Sequence, residues 1–212
     1  MKIWGNRDQG NPVRVTIFLE EKGINIPFEP VDLLNGEHKQ PAFLAKNPAA
    51  LVPVLELDDG TCISETVAIC RYLERLFPEP ALMGRTPLEE ATIEMWQRRI
   101  ELGFFDAARA VFRHSVPFVK ALEPVQIPEW ADLNRPRIVK GLEMLEPQLA
   151  SHPFVAGPEF TIADITAILP LQMLDMLGVD IPEHCPSVLR WRDDVLSRPS
   201  VSAVLTSPQT AS

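Results

Sequence analysis

The stretch NPAALVPVLELDDGTCISETVAICRYLERLF, Asn47 to Phe77, decides the fold. Asn47-Pro48 marks a turn and Val54 to Leu57 is a short apolar run. Asp58-Asp59-Gly60 is a hairpin signal, followed by a brief strand at Cys62-Ile63. Ser64 reads as an N-cap; Ile69, Tyr72, Leu73 and Leu76 then recur at i, i+3, i+4 and i+7 on one helical face, and Pro78 stops the helix. A hairpin thus delivers the chain into a helix whose first amides, at Glu65 and Thr66, are free donors, and such an end attracts carboxylates. Pro53 gives no amide to a ladder and belongs at a strand start or edge. A cis Val52-Pro53 bond would turn the chain sharply and leave the Val52 main chain facing outward.

Upstream, Lys2 to Trp4 is a strand candidate and Gly5 to Gly10 a polar loop. Asn11-Pro12 opens a helix with an N-cap residue and proline at the first helical position, closed at Gly23. Ile26 to Asp32 predicts a second strand and Pro41 to Lys46 a short helix, completing a compact α/β unit. Pro78 to Pro87 reads as an interdomain linker. Beyond it the pattern is helical. Thr86-Pro87-Leu88-Glu89 is a capping box opening a long helix expected to end before Pro117, and the proline-rich Phe118 to Asp132 is left unassigned. Ile138, Leu142, Leu145 and Leu149 mark another helix, which Pro147 should kink or shorten. Thr161 and Asp164 form a second box ahead of Ile162, Ile165 and Leu169; Pro186 to Ser197 is a last helix and Pro208 to Ser212 a fraying tail.

With 212 residues, 46% of them apolar, the chain can bury a core in one or two domains. A net charge of −9 argues against nucleic acid or an anionic membrane as partner. No apolar run approaches the roughly 20 residues of a membrane helix. The start, MKIWGNRDQG, lacks the apolar region of a signal peptide. Three cysteines without CxxC spacing suggest neither a disulfide framework nor a zinc site, and a reducing cytoplasm fits. His114, His152 and His184 show no metal spacing, so no metal is expected.

Asn47-Pro48…Val52-Pro53-Val54-Leu55 followed by Glu65-Thr66 resembles the NPxxxVPxL element and acidic-serine helix start of the cytosolic glutathione transferases. The Phe154-Val155-Ala156-Gly157…Phe160-Thr161-Ile162-Ala163-Asp164 string is similar to that family's structural capping motif. The resemblance implies a thioredoxin-like glutathione-binding domain over 1–78, a linker at 79–86, and an all-helical domain over 87–212 that contributes the electrophile pocket. It also implies a homodimer. In this reading the Thr66 hydroxyl and amide hold the γ-glutamyl carboxylate of glutathione and Glu65 pairs with its ammonium. The Val52 backbone pairs with the cysteinyl peptide. Where relatives commonly place a lysine for the glycyl carboxylate this chain has Leu51, so His38 is the matching candidate. Threonine replaces the usual serine at 66; it keeps the hydroxyl and stiffens χ1.

Such enzymes bind glutathione as its thiolate. A free thiol has a pKa of about 8.5, and lowering it by two units needs about 2.7 kcal/mol. A helix amino terminus supplies ~0.3–1 kcal/mol and a hydrogen bond to a charged group ~1.5–3, so together they suffice. Relatives place tyrosine, serine or cysteine at the first strand–helix junction, but none occurs between Met1 and Val15 and Tyr72 lies in the third helix. The usual serine position holds Gln9. Asn11, two residues on, is the candidate donor to sulfur; its alternative role is to cap its own helix. Asparagine cannot act as a base, so it would only stabilise a thiolate formed by proton loss elsewhere. The reading favoured is conjugation of glutathione to a small apolar electrophile. A glutathione-dependent disulfide reductase and a non-catalytic glutathione-binding module are the alternatives.

Overall fold

A computed structural model describes residues 1–121 and 123–205; the tail at Pro208 to Ser212 lies outside the described residues. It comprises two compact units: Met1–Ala81 joined by residues 198–205, and Leu82–Ser197.

The first unit is thioredoxin-like. It runs β1 (Lys2–Trp4), α1 (Pro12–Lys22), β2 (Phe28–Glu29), α2 (Pro41–Leu44), β3 (Val54–Glu56), β4 (Cys62–Ser64) and α3 (Thr66–Leu76). The sheet order is β2-β1-β3-β4, with β1 parallel to β2 and the other pairs antiparallel. β2 is far shorter than the expected Ile26 to Asp32, because Pro27 and Pro30 flank it and neither has an amide for the ladder. Ile3, Val54 and Leu55 of the sheet and Ile17, Phe18, Ile69 and Leu73 of the helices are fully buried. The buried Lys22 ammonium pairs with Glu74 at 2.7 Å and donates to the Phe77 and Pro80 carbonyls at 2.8 and 2.6 Å. The start of the expected linker is therefore held to this unit.

In the second unit, α4 (Pro87–Arg99) begins at the Thr86 capping box and continues through a π-helical turn, Ile100–Phe105, into α5 (Asp106–Ser115). α6 (Pro128–Ser151) starts inside the unassigned proline-rich stretch and carries Pro147 internally without being shortened. Phe104 is fully buried against α6, where Gly141 leaves it room: a β-carbon there would lie 2.7 Å from the Phe104 Cβ. α7 (Ile162–Leu171), α8 (Leu174–Leu177) and α9 (Pro186–Leu196) follow. Asp164 is the polar hub of this core. Its Oδ1 accepts from the Val155 amide and the Trp191 indole at 2.8 Å each, and its Oδ2 from the Thr161 amide at 2.9 Å and hydroxyl at 3.2 Å.

The last described helix, α10 (Pro199–Leu205), does not belong with the helical unit as the 87–212 boundary supposed. It packs on α1 of the first unit, burying Val201 and Val204. Arg198 donates two bonds to the Glu21 carboxylate, both 2.8 Å, and Ser200 adds a third. Burial opposes the Glu21 charge, but these donors outweigh it and hold the carboxyl below its ordinary range. α1 is buried along Pro12–Leu19 because α3 and α10 both pack on it.

Candidate functional site

The strand register assembles the site. Val54 pairs with Ser64 across β3–β4 and with Trp4 across β1–β3. The residues just before Val54 (Val52-Pro53), just after Ser64 (Glu65-Thr66) and just after Trp4 (Gly5 onward) therefore share one end of the sheet. Trp4 also sits opposite Glu29 in the parallel pair, so the chain running toward His38 departs from that same end.

The Val52-Pro53 bond is cis. Gly5, at φ +139°, lies against this corner: a β-carbon there would sit 3.1 Å from Pro12 Cγ and 3.4 Å from Val52 Cβ. Any other residue would push the corner and α1 apart. Asn47, buried, stitches the approach by donating from Nδ2 to the Leu51 carbonyl at 2.8 Å and accepting from the Ala49 amide at 3.1 Å. Among the described residues the Val52 amide and carbonyl have no hydrogen-bond partner. They form a short strand edge open to an extended peptide.

Ser64 is the last residue of β4, not the N-cap; Glu65 takes that position, at φ 69° and ψ 118°. The swap follows from geometry, since a single residue of positive φ turns the strand directly into α3. That conformation is sparsely populated for a residue bearing a Cβ and costs ~1–3 kcal/mol. No side chain caps α3, so its first amides stay available. Glu65 is exposed beside them, while Thr66 is buried and its Oγ1 accepts from the Arg14 guanidinium. Sequence reasoning passed over Arg14, because its partner lies 52 residues on and no local spacing signals the contact.

Asn11 begins α1 but does not cap it. It is itself helical, with φ −63° and ψ −33°, makes no side-chain cap bond, and is exposed. Its amide is thus not spent on the helix. His38 lies in a short 3-10 turn, Glu37–Lys39, and is buried rather than solvated. Burial, with the neighbouring Lys39 charge, lowers its pKa below the ordinary value. The shift favours the neutral ring, which offers an N–H rather than a cation. Burial pushes the Cys70 thiol up to about 12, leaving it inert. Among the described residues no cluster of three His, Cys, Asp or Glu side chains is placed to hold a metal.

An unpaired backbone edge at half-buried Val52, an uncapped helix start and an adjoining carboxylate together suit a short zwitterionic peptide. Comparison with known proteins identifies the family. The model of the glutathione S-transferase N-terminal domain matches residues 11–76, and that of the C-terminal domain residues 111–199. Glutathione S-transferase 2 of Saccharomyces cerevisiae is 40% identical over 197 residues, covering 92% of this chain and 84% of that protein. The crystal structure of a glutathione S-transferase domain-containing protein from Marinobacter aquaeolei VT8 is 43% identical, with a TM-score of 0.90, and spans 95% of this chain and 100% of that one. The structure of Gtt2 from Saccharomyces cerevisiae also has a TM-score of 0.90, at 38% identity over 97% of this chain and 100% of that one.

Proposed function

This chain belongs to the cytosolic glutathione S-transferase family and is a glutathione transferase, and from that premise we propose how its residues carry the reaction. The Val52 main chain takes the cysteinyl peptide of glutathione as an added strand. The Thr66 hydroxyl and the first α3 amides take the γ-glutamyl carboxylate, and Glu65 pairs with the ammonium. His38 donates an N–H to the glycyl carboxylate. The observation that carries this reading is the Val54–Ser64 pairing, which sets an unpartnered backbone edge beside an uncapped helix start.

With the tripeptide so held, the Asn11 amide donates to the sulfur and favours its thiolate, which then attacks a small apolar electrophile. One hydrogen bond to a charged group is worth about 1.4 kcal/mol or more, so Asn11→Ala should raise the pKa of bound glutathione by about one unit. The pH–rate profile for conjugation of an aryl halide would move up by that unit, and an unmoved profile would remove Asn11 from the chemistry. Running reduction of a small disulfide beside that assay separates conjugation from thiol exchange. Disulfide reduction without conjugation would favour the reductase.

The protein acts in the cytoplasm, in detoxification, as a homodimer. Support for the dimer comes from Leu88, Met95 and Leu102, exposed apolar side chains recurring every seven residues along α4 and its π-helical continuation. Sedimentation equilibrium should return twice the 23.7 kDa chain mass. A monomer at micromolar concentration would contradict it.

A further inference from the structure

We propose that Arg14 is a positioning residue for glutathione recognition: it turns the Thr66 hydroxyl into a committed donor toward the γ-glutamyl carboxylate. The inference rests on the reading of Thr66 as part of the glutathione site.

A threonine hydroxyl carries one proton and two acceptor lone pairs, and left alone it rotates to suit any partner. A guanidinium only donates. Arg14, 4% exposed, donates Nη1–H to the Oγ1 of Thr66, itself 8% exposed. This contact occupies a lone pair and directs the hydroxyl proton elsewhere. Among the described residues no acceptor takes that proton. The group left facing a ligand is therefore a donor, and a carboxylate oxygen is the acceptor that matches it.

Charge points the same way. Glu65, next to Thr66 in the sequence, is exposed, and Arg14 is buried against the Thr66 hydroxyl. A negative group for an ammonium and a positive group behind a hydroxyl for a carboxylate form a pair complementary to a free α-amino acid head. The chain as a whole carries −9, and Arg14 adds a positive charge at the first residue of α3, where the helix amides already favour a carboxylate. Arg14 thus makes the site specific for a γ-glutamyl unit whose α-carboxylate is free.

Titration calorimetry on the full chain tests this with two ligands, glutathione and 4-aminobutyryl-cysteinyl-glycine, which lacks only that carboxylate. The ratio of their dissociation constants is the readout. Losing a hydrogen bond to a charged group should make the ratio about 10–100 in the wild type. Thr66→Val and Arg14→Met should each bring it down to a few, and Arg14→Lys, which keeps the charge without the planar fork, should leave it intermediate. A merely structural Arg14 would weaken both ligands equally and leave the ratio at its wild-type value, which overturns the proposal. Should Arg14→Met lose its helical circular dichroism, Arg14→Lys decides, and an unchanged ratio there overturns it equally. If Thr66→Val itself leaves the ratio intact, the Thr66 reading fails and takes the inference with it. A ratio lowered by Thr66→Val but by neither Arg14 variant removes the inference alone.

Discussion

Replacing Glu65 by alanine should weaken glutathione binding by about 2–3 kcal/mol, roughly thirty- to 150-fold, because a charge-assisted contact to the ligand ammonium is lost. Stability should hardly change, since the carboxylate is exposed and the positive φ persists in the alanine variant. Glu65→Gly separates the two effects. Glycine adopts φ 69° without steric cost, so that variant should gain about 1 kcal/mol in urea unfolding while losing affinity as the alanine variant does. A residue that strains the fold and yet serves the ligand is the expected signature of a binding position. Calorimetry showing Glu65→Ala within threefold of wild type would remove it from the site.

The largest stability effect is expected at Asp164. In Asp164→Ala the Val155 and Thr161 amides and the Trp191 indole N–H lose their acceptor inside the core. Each unsatisfied buried donor costs about 1–3 kcal/mol, so the loss should reach roughly 3–6 kcal/mol, a large part of a domain's stability. Burial pushes the Asp164 carboxyl up to about 6, against the pull of these donors. With the folded pKa above the unfolded one, the native state binds the extra proton. The Asp164 contribution is therefore greatest at low pH, falls as pH rises from about 4 to about 6, and is flat above. The difference in urea midpoint between wild type and Asp164→Ala should shrink across that range. A difference independent of pH would mean the carboxyl titrates at its ordinary value.

Local chemistry made much of this legible. The Asn47–Phe77 hairpin and helix, the Thr86 and Thr161 capping boxes and the α/β-then-helical order all rest on signals confined to a few neighbouring residues. What stayed hidden depends on distant partners. Arg14 with Thr66, Lys22 with Glu74 and Glu21 with Arg198 bring together residues far apart in the chain, and each put a charge in a helix that periodicity reads as solvent-facing. The return of α10 to α1 belongs to the same class. Two local rules were also overridden. Preference for serine at an N-cap misplaced the start of α3 by one residue, because no propensity anticipates a glutamate at positive φ. Asn11 and Pro12 take the N-cap and first helical positions that their spacing indicates, yet the Asn11 side chain makes no cap bond and is exposed. The order of elements could thus be read from spacing and the fold from the family resemblance, whereas the site's electrostatics needed three dimensions.

A crystal structure with reduced glutathione bound would show which backbone and side-chain groups hold the peptide. The cysteinyl peptide should be hydrogen-bonded to both the amide and carbonyl of Val52, at about 2.9 Å, with the γ-glutamyl end against Glu65 and Thr66. Glutathione bound with the Val52 main chain still unpartnered, or with its γ-glutamyl end away from the start of α3, would contradict it.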